Sequence, residues 1–149
     1  MTQEVKELLV KDLCARLPYG VKIETEYFTK ATLVAIRKNI SYGACKDLLV
    51  TYDISEEETP YQSEERSSTI SKIKPYLFPL SSMTEEQKKE YNRLRDFVPT
   101  YHYEYGDIVE DTELYDNWGS INYLIANHFD YMELIPKGLA IDATGKGIY

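Results

Sequence analysis

The chain has 149 residues, 43% of them hydrophobic and 28% charged, with a formal net charge of −8. A chain of this length buries about two-thirds of its unfolded surface in one core, so a single folded domain over 1–149 is expected, and a disordered polymer is excluded. No run approaches the roughly 18 apolar residues that span a bilayer, and the start, Met1-Thr2-Gln3-Glu4-Val5-Lys6-Glu7, lacks a basic and then apolar leader; a soluble, cytoplasmic chain without membrane association is expected.

From Gln3 to Leu17 the apolar residues Val5, Leu8, Leu9, Leu13 and Leu17 recur at helical spacing, with Glu4, Lys6, Glu7 and Lys11 opposite. This predicts an amphipathic helix that stops at Pro18-Tyr19-Gly20, because Pro disfavours helical geometry at the residue before it and Gly accepts the turn. Val21–Tyr27 alternates apolar with polar, and Ala31–Lys38 and Leu48–Tyr52 are rich in β-branched or aromatic residues, which predicts three short antiparallel strands. Ser55–Ser68 reads as an exposed loop or hairpin tip, Thr69–Ile73 as a further strand. In Lys74-Pro75-Tyr76-Leu77-Phe78-Pro79-Leu80 two prolines argue against regular pairing while the apolar side chains argue for burial, so an extended segment across the core is expected.

Thr84-Glu85-Glu86-Gln87 matches a capping box, with Thr capping a helix and Gln reaching back, and predicts a helix from Glu85 to about Phe97. Tyr101-His102-Tyr103-Glu104-Tyr105 alternates like a strand, the acidic stretch to Asp116 reads as loop, and Trp118, Ile121, Leu124, Ile125 and His128 predict a short helix over Asn117–Asn127. The tail from Phe129 to Tyr149, broken by Pro136, Gly138, Gly145 and Gly147, is expected to dock as irregular strand or coil. The fold class is therefore α+β: a small antiparallel sheet, as a meander or partly open barrel, with the N-terminal helix and the helix at about 85–97 packed on it.

Cys14 and Cys45 each sit beside residues that look buried, and no basic or His-containing motif surrounds either, so both are read as reduced, buried thiols rather than as a disulfide or a nucleophile. Residues 1–95 balance fifteen basic residues against fifteen acids, whereas 96–136 carry nine acids and no Lys or Arg. The net charge thus belongs to one segment, whose field opposes contact with a nucleic-acid backbone or an anionic membrane.

Two His-carboxylate pairs, His102 with Glu104 and His128 with Asp130, are candidate metal ligands, set against the alternatives of a surface imidazole at 102 and a helix-terminal one at 128. The carboxylates Asp107, Glu110, Asp111 and Glu113 lack the order of a calcium loop and read as a solvated acidic stretch. Phosphate loops, nucleophile elbows and Cys-based knuckles are missing from the sequence, so no catalytic residue, cofactor or resident metal is assigned. Tyrosine is the unusual residue: fourteen in all, of which Tyr101, Tyr103, Tyr105, Tyr115, Tyr123 and Tyr131 fall in the acidic segment beside Trp118. These rings either complete a small core or form a contact surface of rigid, amphipathic side chains. The candidate partner-binding residues are Tyr101, Tyr103, Glu104, Tyr105, Asp107, Glu110, Asp111, Glu113, Tyr115, Asp116 and Trp118, facing a protein partner with a basic surface.

Three blocks, Arg16-Leu17-Pro18-Tyr19-Gly20-Val21, Ile73-Lys74-Pro75-Tyr76-Leu77 with Ser81-Ser82-Met83-Thr84-Glu85-Glu86, and His128-Phe129-Asp130-Tyr131 with Gly138-Leu139-Ala140, resemble recurring blocks of a family from Bacteroides-type gut bacteria and their phages or prophages. The family has no assigned activity, catalytic residue or cofactor; the resemblance implies a cytoplasmic mobile-element accessory protein. The stretch around 101–116 has no counterpart in that pattern. Three functions follow as expectations: a non-enzymatic protein binding a partner through the acidic face; an inhibitor imitating nucleic-acid charge to occupy a basic groove; and a small metal-dependent enzyme using His102, Glu104, His128 and Asp130.

Overall fold

In a computed structural model, residues 1–38, 48–54, 66–95, 100–104, 107–111 and 118–149 are described, and for 100–104 and 107–111 the description is of the backbone. Thr2 opens the first helix, its hydroxyl accepting from the Val5 N–H, and helix α1 runs Gln3–Arg16. One 3-10 turn, Leu17–Tyr19, follows, and Gly20 closes it in the left-handed region at φ +63°, as the Pro18-Tyr19-Gly20 signal predicts. The inward stripe of α1 is Leu9, Asp12, Leu13 and Arg16. Cys14 falls off that stripe and is an exposed free thiol, which corrects the expectation of burial; Cys45 lies outside the described residues.

Strands β1 (Lys22–Glu24), β2 (Ala31–Lys38), β3 (Leu48–Ile54) and β4 (Arg66–Thr69) form an antiparallel meander; β5 (Lys74–Leu77) pairs antiparallel with β1, and β8 (Ile141–Asp142) lies parallel to β5. The resulting order in an open six-stranded sheet is β4-β3-β2-β1-β5-β8. Period-two alternation sends Val21, Ile23, Ala31, Leu33, Val50, Tyr52 and Ile54 inward against Leu9 and Leu13. A bulge between Leu33 and Ala35 turns Val34 out to solvent.

The sheet is strongly curled. Four strand spacings, about 19 Å on a flat sheet, separate β4 from β5, yet only residues 70–73 connect them, and Ile70–Lys72 form a compact 3-10 turn. Even fully extended, the five steps from Thr69 to Lys74 reach only about 18 Å. Curling brings the edges together, and Lys72 in the connection forms an ion pair with Glu26 beyond β1.

Several boundaries differ from the sequence reading, each for a local or tertiary reason. The first strand stops at Glu24 because the Thr25 hydroxyl accepts from the N–H groups of Tyr27 and Phe28 and closes a turn instead. Arg66–Ser68, expected in the loop, are in β4, where pairing with Val50–Tyr52 outweighs their polarity, and the strand expected at 69–73 is largely the 3-10 turn, which buries Ile70. Lys74–Leu77 pairs despite Pro75, which stands opposite Ile23 ahead of the point where β8 joins at Tyr76, near the start of the strand where a missing N–H costs least.

Helix α2 (Glu85–Arg95) begins with the predicted box: the Gln87 N–H donates to the Thr84 hydroxyl (3.2 Å) and the Thr84 N–H to Gln87 Oε1 (2.9 Å). Thr84→Ala is expected to cost about 1 kcal/mol, read as a lower urea midpoint at unchanged slope. The helix end expected at Phe97 falls at 96–99, outside the described residues. Helix α3 (Trp118–Ala126) packs on α2 and α1, and a second small cluster forms from Met83, Leu124 and Phe129 with Phe78, Tyr91, Tyr123 and Tyr131 around it. The acidic stretch corrects another expectation, because Asp107–Asp111 is not loop but strand β7, paired with β6 (Thr100–Glu104) in a separate antiparallel hairpin. Ile108 and Val109 give that strand its β preference.

Candidate functional site

The C-terminal turns of α1 and α3 meet around an ion pair with no solvent exposure. Arg16 Nε and Nη2 donate to the two Asp12 oxygens at 2.8 and 2.9 Å, a bidentate i,i+4 pair. The same guanidinium reaches across the fold to the carbonyls of Ile125 (3.3 Å) and Phe129 (2.8 Å), placing its charge at the negative end of α3, with the Tyr131 ring 5.6 Å away. Burial pushes the Asp12 carboxyl above its usual range, against the opposing pull of Arg16. The signal available for this pair was the spacing: Asp12 and Arg16 extend the Leu9 and Leu13 stripe, a placement that forces two charges inward.

Beyond Ala126, α3 closes in a Schellman motif. The Phe129 N–H donates to the Leu124 carbonyl (2.8 Å), the His128 N–H to that of Ile125 (3.1 Å), and Leu124 packs with Phe129. The left-handed position belongs to His128, at φ +59° where glycine is usual, and this costs roughly 1–2 kcal/mol. The residue is 9% exposed, Nδ1 of its imidazole has no partner, and the ring stacks on Tyr149 with centroids 4.2 Å apart and planes 14° from parallel. Desolvation, helped by the Arg16 charge, lowers the His128 pKa to about 4, so the ring is neutral at pH 7. The Tyr149 hydroxyl is locked between strands, donating to the Tyr76 carbonyl (2.8 Å) and accepting from the Lys22 N–H (3.1 Å); burial pushes its pKa up.

Asp130, two residues on, is committed elsewhere. Its oxygens accept from the N–H groups of Leu134 (2.7 Å) and Ile135 (2.8 Å), holding the turn that follows. His128 and Asp130 therefore serve different ends despite their spacing, and among the described residues no three His, Cys, Asp or Glu side chains form a metal-sized group. The His102 and Glu104 side chains lie outside the described ones, their backbones pairing with Val109 and Asp107.

Between the exit of β5, the start of α2 and the end of α3 lies a cleft of about 390 Å³. Phe78, Phe129 and Tyr149 supply aromatic walls, and Gln87, Asn127 and His128 polar groups. Two of the three sequence blocks line the cleft, through Ser82 and through His128 and Phe129, and Arg16 of the first bonds to the Phe129 carbonyl; Tyr149 bonds to Tyr76, and Phe78, next after Leu77, exchanges backbone hydrogen bonds with His128 and Asp130. Sequence reasoning passed over Asp12, Arg16, Gln87 as a lining residue, Asn127 and Tyr149.

Of the expected partner-binding residues, Trp118 is the first residue of α3 and 73% exposed. The hairpin register sets Tyr101 opposite Glu110, Tyr103 opposite Ile108, Glu104 opposite Asp107 and Thr100 opposite Asp111. Tyr105, Glu113, Tyr115 and Asp116 lie outside the described residues. Tyr123 and Tyr131, in contrast, pack around the smaller cluster. Among the described residues no helix is long and apolar enough to cross a membrane. No family model matches the chain, and no curated protein or solved structure is significantly similar to it.

Proposed function

We propose that this chain is a non-enzymatic accessory protein, of the mobile-element kind that its three sequence blocks suggest, and that it binds a protein partner with a basic surface through the acidic, tyrosine-rich segment ending at Trp118. The observation that carries the reading is the exposure of Trp118, which leaves a large apolar ring in water. A water-exposed indole beside a segment free of Lys and Arg fits a contact anchor with electrostatic steering around it. The neighbouring hairpin stands apart from the six-stranded sheet and so adds nothing to that sheet's ladder.

The test is capture from a Bacteroides-type host lysate at low salt, followed by titration of the recovered, purified protein. Trp118→Ala is expected to weaken binding about 30-fold, the size of an interfacial hot spot of about 2 kcal/mol, and affinity is expected to fall with rising salt. Retention of nothing above background, or equal binding by the Trp118→Ala variant, would count against the proposal.

A further inference from the structure

The geometry points to the cleft bounded by Phe78, Gln87, Asn127, His128, Phe129 and Tyr149 as a binding site for an uncharged, planar heterocycle that carries adjacent C=O and N–H groups, a lactam edge of pyrimidine size. The two amides of the cleft are oriented by their neighbours. Gln87 spends Oε1 on the Thr84 N–H, which leaves its NH2 as donor; Asn127 spends its NH2 on the Tyr123 carbonyl (2.9 Å), which leaves Oδ1 as acceptor. The Gln87 NH2 and the Asn127 Oδ1 match the C=O and N–H of a lactam edge; Ser82, whose hydroxyl donates to the Pro79 carbonyl, and His128, with its unpartnered Nδ1, line the same cleft.

The walls select the shape. Phe78 packs tilted on Tyr149 and Phe129, with ring centroids 5.6 and 6.2 Å apart, and His128 covers one face of Tyr149, so the cleft offers one aromatic wall for a flat ring to lie against rather than a slot between two rings. Charge is selected against, because no Lys, Arg, Asp or Glu is among the described lining residues and the imidazole is neutral at pH 7. The unpartnered, shielded Nδ1 of His128 is a second sign that this corner of the fold is not optimised for stability alone. A volume of about 390 Å³ falls at the small end of ligand pockets.

The test uses the full chain labelled with 15N and titrated at pH 7 with three probes: uracil; dihydrouracil, which keeps the edge but loses the aromatic plane; and orotate, which adds a carboxylate. Uracil is expected to give saturable shifts at Asn127, His128 and Phe129, with binding at least tenfold weaker for both other probes. Gln87→Glu retains the capping acceptor, so it folds, but it replaces the donor by a negative charge and is expected to weaken uracil at least tenfold. The inference is overturned by unsaturable uracil shifts up to its solubility, by dihydrouracil or orotate binding as tightly as uracil, or by unchanged binding in Gln87→Glu.

Discussion

Arg16→Met is expected to remove about 3–5 kcal/mol of folding stability, the largest single effect in the molecule. The methionine fills much of the arginine's volume, so the loss is electrostatic rather than a cavity. It strips a fully buried carboxylate, Asp12, of both its hydrogen bonds to Arg16, and takes one of two donors from each of the Ile125 and Phe129 carbonyls, which keep the N–H groups of His128 and Tyr131. Against a total stability of roughly 5–15 kcal/mol for a domain, that is a large share.

The pair also predicts non-additivity. Replacing both residues, as Asp12→Leu with Arg16→Met, removes the stranded charge along with its partner, and the double variant is expected to be more stable than Arg16→Met alone. Arg16→Lys is expected to fall between wild type and Arg16→Met, since an ammonium keeps the charge but cannot serve two carboxylate oxygens and two carbonyls from one plane. Urea denaturation of the cycle (wild type, Asp12→Leu, Arg16→Met and the double variant) together with Arg16→Lys measures both statements. Strictly additive losses would show that the two charges do not depend on each other.

Acid is expected to weaken the fold through His128. The imidazole binds its proton at about 4 in the folded chain and at about 6.5 in the unfolded one. Between these values the unfolded state holds more protons, so stability is full above pH 6.5 and falls as pH drops toward 4. Across that window the loss amounts to about 3 kcal/mol. His128→Asn tests it, because Asn tolerates the left-handed position and carries no titrating group. The variant is expected to lie within about 1 kcal/mol of wild type at pH 7, where lost stacking opposes relieved backbone cost, and to show a flatter stability profile from pH 6.5 to 4. Asp12 and Arg16 face the same region, but they are common to both proteins and cancel in the comparison. Parallel profiles would mean that His128 is not the group that titrates.

The cleft and the ion pair explain why part of the molecule was legible in one dimension and part was not. The Thr84 and Gln87 box, the stop at Gly20 and the span of α3 are each written within a few residues, because a cap or a turn is satisfied by atoms three or four positions away. The β-branched and aromatic runs at Ala31–Lys38 and Leu48–Tyr52 are equally local, since such side chains favour the pleated backbone whatever they later pack against.

What distant partners decide could not be read in this way. Arg16 looks like the basic end of an ordinary helix until Phe129, 113 positions later, supplies the carbonyl that makes its burial tolerable. His128 and Tyr149 become a stacked pair only when the tail docks beside β5. Ser67 and Ser68 are strand residues only because β3 offers a ladder. The sequence by itself determined the α+β class, the capped helices and the concentration of charge beyond residue 95, all consequences of short-range periodicity and composition. The tertiary structure alone decided the curl of the sheet, the buried ion pair and the neutral aromatic cleft, because the energies of burial and pairing depend on which groups arrive together.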